Sequence, residues 1–459
     1  MKNKFEKAII EKLFIELFPI CRSITGDGVR KSLKILQNIS QFNIKEISSG
    51  TKCFDWTIPD EWNINDAYIE RSNGEKILDF KNNNLHVVSY STPIKEKMKF
   101  SEFNSHLHTL PRMPNSIPYR TTYYKKDWGF CLKHEDLQKF KEDEDYNILI
   151  DSSLKPGHLT YGEFLIKGEL EDEIILSTYC CHPSMGNDNL SGMVLWILLL
   201  RYLKSLKTKF SYRFIIVPET IGVISYLSEN KNNLENVFGG FEVTCVAGPN
   251  DFVYNSSFLE NHVIDKIAIK TLDELNLKFT KKSFKPIGSD ERQYSSPGFR
   301  IPIVLLCRDQ YHDYDSYHTS LDNLDFISSE SLLKSYILYT KIIQNLEELD
   351  KNELQVEDKT KNTKSKFSFY STLNPYCEPM LSKRKLYPEL GGTLFQSSSD
   401  TKSENEKYVE LLVSTLFYSD GYTSIEEISS KSGFTELEIE QMSDKLVKEK
   451  LFERKKNVR

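Results

Sequence analysis

The chain has 459 residues, of which 39% are hydrophobic and 27% charged, and a formal net charge of -6. That length exceeds what one compact core uses, so two or three domains are expected. The acidic balance offers no field for nucleic acid or an anionic membrane surface, so neither is expected as a partner.

The opening MKNKFEKAIIEKLFIELF spreads its charges through an amphipathic pattern, unlike a secretory leader. No apolar run reaches about 18 residues, so no membrane span is expected. Eight cysteines without a C-x-x-C pair read as reduced thiols, which points to a cytoplasmic protein. Apolar residues at helical spacing over 4–18 (Phe5, Ile9, Ile10, Leu13, Phe14, Leu17) end at Pro19, and a Gly-containing turn at 25–28 opens a second helix over 29–37. Short extended runs such as CFDWTIPDEW, NLHVVSYS and YGEFLIKG then predict a β-rich domain inserted over 48–165.

After Glu171, apolar runs at 174–178, 212–217, 241–247 and 301–306 alternate with helical stretches at 190–206, 261–277 and 329–346. This alternation predicts an α/β domain, residues 1–47 and 166–350, with a mixed, mainly parallel sheet flanked by helices. Residues 351–402 read as a linker and irregular segment. The helix, Gly-containing turn and helix of SIEEISSKSGFTELEIEQMSDKLVKEKLF predict a winged-helix-like domain over 403–459.

Ligands of such sheets collect beyond the carboxyl ends of the strands. There the sequence offers His182 and Asp188 (CCHPSMGNDNLSG), Glu219 (PETIG), Asp290 and Glu291 (GSDERQYSSPG), and His312 and His318 (YHDYDSYHTSLDNLD). Imidazole and carboxylate are the usual zinc set where one position stays open for chemistry. Taken singly, each has a plainer explanation: Asp188 as a helix cap, Glu219 as a first-turn carboxylate, His318 as a hydrogen-bonded loop residue. Their joint placement at one sheet edge is what the plainer explanations leave out.

The segments strand-His...Asp-Asn-x-Ser-Gly-helix, strand-Pro-Glu-x-x-Gly, Ser-Asp-x-x-x-Tyr...Gly-x-x-x-Pro and Tyr-His-Thr-x-x-Asp, in that order, resemble the zinc aminopeptidase fold shared by zinc exopeptidases and glutaminyl cyclases. With WTIPDEWNINDAYI, IPYRTTYY, WGFCL and LTYGEF, the whole chain is similar to aminopeptidase-like proteins encoded with bacterial polysaccharide-biosynthesis genes. The resemblance implies His182 and His318 as the first and last imidazole ligands, Asp188 as the bridging carboxylate and Glu219 as general base. It also marks two departures, because Thr220 stands where a ligand Glu belongs and Thr244-Cys245 where a ligand Asp belongs.

One zinc on His182, Asp188 and His318 is therefore expected, with two ions as the alternative. Cys245 is either a fourth ligand or a core residue, and Asp290 is expected to orient an imidazole. Arg292 and Tyr294, or Arg120 and Tyr123 of the inserted domain, are expected to contact substrate. The functional expectation is a zinc-dependent amide hydrolase acting on a short peptide or an acylated amino sugar. The alternative is a binding or scaffolding protein that keeps the fold with little catalysis. A DNA-binding regulator fits poorly, since acids slightly outnumber bases in the last domain, and a homo-oligomer is left open.

Overall fold

The computed structural model describes residues 2–350, 370–387, 391–392 and 404–454. Most of the segment expected as a linker, 351–402, lies outside the described residues. At the centre is an eight-stranded sheet in the order Asn43–Ser48, His158–Ile166, Ser211–Val217, Glu173–Tyr179, Val237–Glu242, Ile303–Arg308, Phe252–Asn255, Phe279–Lys282. The four middle strands run parallel, and antiparallel pairings attach the outer strands on either side.

Strand Glu173–Tyr179 and helix Gly192–Leu203 explain why the centre is dry. Every residue of the strand is buried, as are ten of the twelve residues of the helix, as expected for elements covered on both faces. Trp196 is fully buried, packs edge-on against Phe42 and Phe214, and donates its indole N–H to the Leu176 carbonyl at 3.0 Å. Trp196→Ala is expected to cost about 3–5 kcal/mol of folding stability, read by denaturant unfolding.

Residues 52–155 hold a separate four-stranded antiparallel sheet, Lys76–Asp79, Glu61–Arg71, Asp145–Lys155 and Ile94–Lys99. The expected boundary at 165 is too late, because His158–Ile166 belongs to the large sheet and pairs with Asn43–Ser48 and Ser211–Val217. Its antiparallel neighbours make it a short extended run like the inserted strands, which is why the switch is hidden in the sequence.

The C-terminal unit comprises helices Glu404–Tyr418, Ile425–Ser432 and Glu436–Lys448 and a short antiparallel pair, Tyr370–Thr372 with Phe452–Arg454. Two capping boxes, Ser424 with Glu427 and Thr435 with Glu438, start its second and third helices, and Gly433 at φ 79° ends the second. Glycine supplies that left-handed residue without steric cost. The unit packs on the α/β domain through Phe284 and Phe417 and through the Arg300–Asp420 ion pair at 2.7 Å.

Among the described residues, no helix is long and apolar enough to cross a membrane.

Candidate metal centre

The turn after strand Glu173–Tyr179 carries His182 and Asp188 and is fixed by its own polar side chains. Asn187 donates to the Arg308 carbonyl and accepts the Ala247 N–H, while Asn189 donates to Thr178 and to the Tyr179 carbonyl. Asp322 accepts the N–H groups of both Asn187 and Asp188, at 2.6 and 2.9 Å. The loop is therefore held in place by groups that are not themselves candidate ligands.

His182, Asp188 and His318 converge there, with one ligand atom from each lying within 4.8 Å of the others. His318 Nε2 is 3.0 Å from Asp188 Oδ2, and His182 Nδ1 is 3.7 Å from Asp188 Oδ1. Bonds of about 2 Å to one tetrahedral ion separate ligand atoms by roughly 3.3 Å, so these spacings fit a shared ion. The fully buried His182 Nδ1 makes no hydrogen bond, a costly arrangement unless a further ligand takes it up.

Burial opposes the charged form of Asp188, but the His182 and His318 imidazoles and the Tyr179 hydroxyl at 2.6 Å outweigh it and hold the carboxyl well below its usual range. Burial lowers the His182 pKa, against the pull of Asp188 and Glu219. The ligand set is thus biased toward an ionised carboxylate and a neutral imidazole, the forms that bind metal.

Glu219 approaches from the neighbouring strand. Its Oε2 lies 3.5 Å from His182 Nε2, its Oε1 accepts the Ser289 hydroxyl at 2.6 Å, and its side chain is 26% exposed. Thr220 behind it has φ 62° and ψ -75°, closing a three-residue turn in which Ile221 N–H reaches the Glu219 carbonyl at 2.8 Å. A β-branched residue is strained in that region by about 1–3 kcal/mol. Asp290 supports the turn by accepting the Thr220 N–H at 2.7 Å. It was expected beside an imidazole, and the helix starting at Glu291 carries it under Thr220 instead.

The other expected site residues are dispersed. Tyr294 is fully buried and hydrogen bonds Ser177 at 3.1 Å, so the short helix Glu291–Tyr294 turns it into the sheet. Arg292 pairs with Glu378 at 3.2 Å, facing the C-terminal segment. Cys245 packs among Leu305, Cys307, Tyr311, Tyr314 and Tyr317 and joins neither metal-ligating group found among the described residues. His312 lies edge-on to Tyr311 and Tyr317, outside those groups. Arg120 has Nε and Nη1 buried without hydrogen bonds, and the Tyr123 hydroxyl meets that of Tyr119 at 2.6 Å.

Several residues at the site carry no local signal. Tyr119, from the inserted domain, sets its ring edge-on to both imidazoles, and its N–H donates to the His318 carbonyl at 2.9 Å. Tyr317 stacks on His318 with centroids 3.9 Å apart. Glu242 ends strand Val237–Glu242 fully buried, its pKa raised by burial and by the nearby Asp290 and Glu291 charges.

Burial raises Asp322 to about 7, against the two N–H groups that favour its charged form. A raised carboxyl contributes most below its unfolded value, near pH 4, and that contribution is lost as pH rises through about 7. Metal-free protein is expected to lose up to a few kcal/mol over that window. Glu242 and Asp290 push the same way, so Asp322→Asn should remove part of the slope in denaturant unfolding measured from pH 5 to 8, and an unchanged slope contradicts it.

The family described as domain of unknown function DUF4910 matches residues 11–349. The chain belongs to the DUF4910 family. A winged helix-turn-helix family matches residues 368–454, behind the DUF4910 domain. A Clostridium acetobutylicum protein, named as a candidate polysaccharide biosynthesis protein with an aminopeptidase-like domain, is 45% identical over 96% of this chain and 95% of its own. The crystal structure of a candidate peptidase from Clostridium acetobutylicum covers 99% of this chain and 97% of its own at 42% identity and a TM-score of 0.74. A zinc aminopeptidase from Bacillus subtilis, 14% identical, covers 75% of this chain and 95% of its own with a TM-score of 0.54. The DUF4910 domain therefore has the zinc-aminopeptidase fold.

Proposed function

We propose that this protein is a cytoplasmic zinc-dependent amide hydrolase acting on a short peptide or on an aminoacyl or N-acyl group of an amino sugar. The carrying observation is the convergence of His182, Asp188 and His318 on one point, with Glu219 beside them on the solvent side. The names of the relatives, an aminopeptidase-like protein of polysaccharide biosynthesis and a zinc aminopeptidase, agree with it.

His182, Asp188 and His318 would hold the zinc, which when bound supplies Lewis-acid polarisation of the scissile carbonyl. Glu219 takes a proton from the attacking water and returns it to the leaving nitrogen. Ser289 holds the Glu219 carboxylate through its other oxygen and so fixes the direction of approach. Tyr119 and Tyr317 wall the imidazoles from bulk water, which strengthens electrostatic interactions inside the site. The C-terminal unit serves as a packing partner of the hydrolase rather than a nucleic-acid reader.

A binding or scaffolding role is the second reading, favoured by Thr220 and Cys245 standing where metal-ligating carboxylates would complete a two-ion centre. A panel of short peptides and N-acylated or aminoacylated amino sugars, assayed with and without a chelator, separates the two. Chelator-sensitive turnover of any member supports the hydrolase, and zinc-loaded protein inert toward the whole panel supports the binding role.

A further inference from the structure

We propose a second cation position beside the first, formed by Cys181, His182 and Glu219, which takes a thiophilic divalent ion and withdraws Glu219 from catalysis when filled. The inhibitory consequence rests on the reading of Glu219 as general base; the binding itself does not. One ligand atom from each of the three residues lies within 4.8 Å of the others. His182 serves both positions with different atoms, since Nδ1 faces Asp188 at 3.7 Å and Nε2 faces Glu219 at 3.5 Å.

The position is assembled by the sheet. Cys181 and His182 follow strand Glu173–Tyr179 and Glu219 follows strand Ser211–Val217, and the parallel pairing of Tyr179 with Val217 brings the two strand ends level. The Glu219 N–H points at Cys181 Sγ, 3.3 Å away. Cys181 is 1% exposed and His182 4%, whereas the Glu219 side chain is 26% exposed and provides the route from solvent.

A thiolate, an imidazole and a carboxylate together select zinc or cadmium over magnesium or manganese. A cysteine ligates a metal as its thiolate, so an entering ion displaces the Cys181 proton. With the first position already on Nδ1, the new bond to Nε2 displaces the ring proton too. Filling the second position therefore forms one sulfur, one nitrogen and one oxygen bond and releases two protons. No electron changes hands. The Glu219 carboxylate, now a ligand, no longer accepts a proton from water.

The test is cadmium titration of protein loaded with one equivalent of zinc, followed by the ultraviolet sulfur-to-cadmium charge-transfer absorbance. Wild type is expected to develop the band over one further equivalent. Cys181→Ser should lose the band and bind the added ion at least about tenfold more weakly, whereas Cys180→Ser should match wild type. Glu219→Gln, at a partly exposed side chain, checks the same position should the cysteine variant fail to fold, and weaker cadmium binding is expected there also. No band in wild type, or a full band in Cys181→Ser, overturns the proposal. A band in wild-type protein that shows no hydrolase activity toward any substrate upholds the position and overturns only the inhibitory role.

Discussion

Glu219→Gln is expected to lower amide hydrolysis at least about a hundredfold while leaving the zinc content unchanged, the usual scale for loss of a general base. Gln fits the same space and can still accept the Ser289 hydroxyl that fixes Oε1. It cannot accept a proton from water. The carboxylate reaches His182 from the opposite ring nitrogen to the one facing Asp188, so its replacement leaves the three zinc ligands where they are. Steady-state kinetics on the best substrate of the panel, with metal analysis of the same sample, reads both halves. Loss of the zinc held by His182, Asp188 and His318 would make Glu219 a ligand of that position, and an undiminished rate would remove it from the mechanism.

Asp188→Asn is expected to weaken zinc binding at least about a hundredfold, because Asp188 is the one carboxylate among the three ligands and sits between both imidazoles. Metal-free Asn variant should melt somewhat lower than metal-free wild type, because the groups that hold the Asp188 carboxyl below its usual range stabilise its charged form in the fold. The amide keeps a partner for the Tyr179 hydroxyl but loses the attraction of the two imidazoles, which outweighs the cost of burying the charge. Saturating zinc stabilises wild type in proportion to the logarithm of its concentration over Kd, and this rise in Tm should vanish in the variant. A variant that keeps the zinc-dependent rise would take Asp188 out of the ligand set.

The difference between these two residues and the rest of the site shows what a sequence of this kind reveals. His182, Asp188, Glu219 and His318 are each legible because they stand just past an apolar run, and parallel strands bring their carboxyl ends to one edge. Tyr119 is illegible because its place depends on a backbone bond between the inserted domain and the His318 loop. Asp322 reads as a loop aspartate until its two contacts with the 187–188 backbone are seen.

Misplaced residues have the same physical origin. Asp290 and Tyr294 are four positions apart, about one helical turn, and a short helix decides that one supports Thr220 while the other enters the sheet. Neither orientation follows from residue type. Cys181 was hidden by its neighbours, since a cysteine at the end of an apolar strand reads as core. The carboxylate that gives it a ligand-like setting comes from 38 residues away.

The proposed activity needs an ion held by His182, Asp188 and His318, and elemental analysis tests that most directly. Protein purified without added metal and dialysed against trace zinc is predicted to carry about one zinc per chain, and Asp188→Asn prepared identically less than about a tenth of that. Wild-type protein without zinc, or equal zinc in the two proteins, would contradict it.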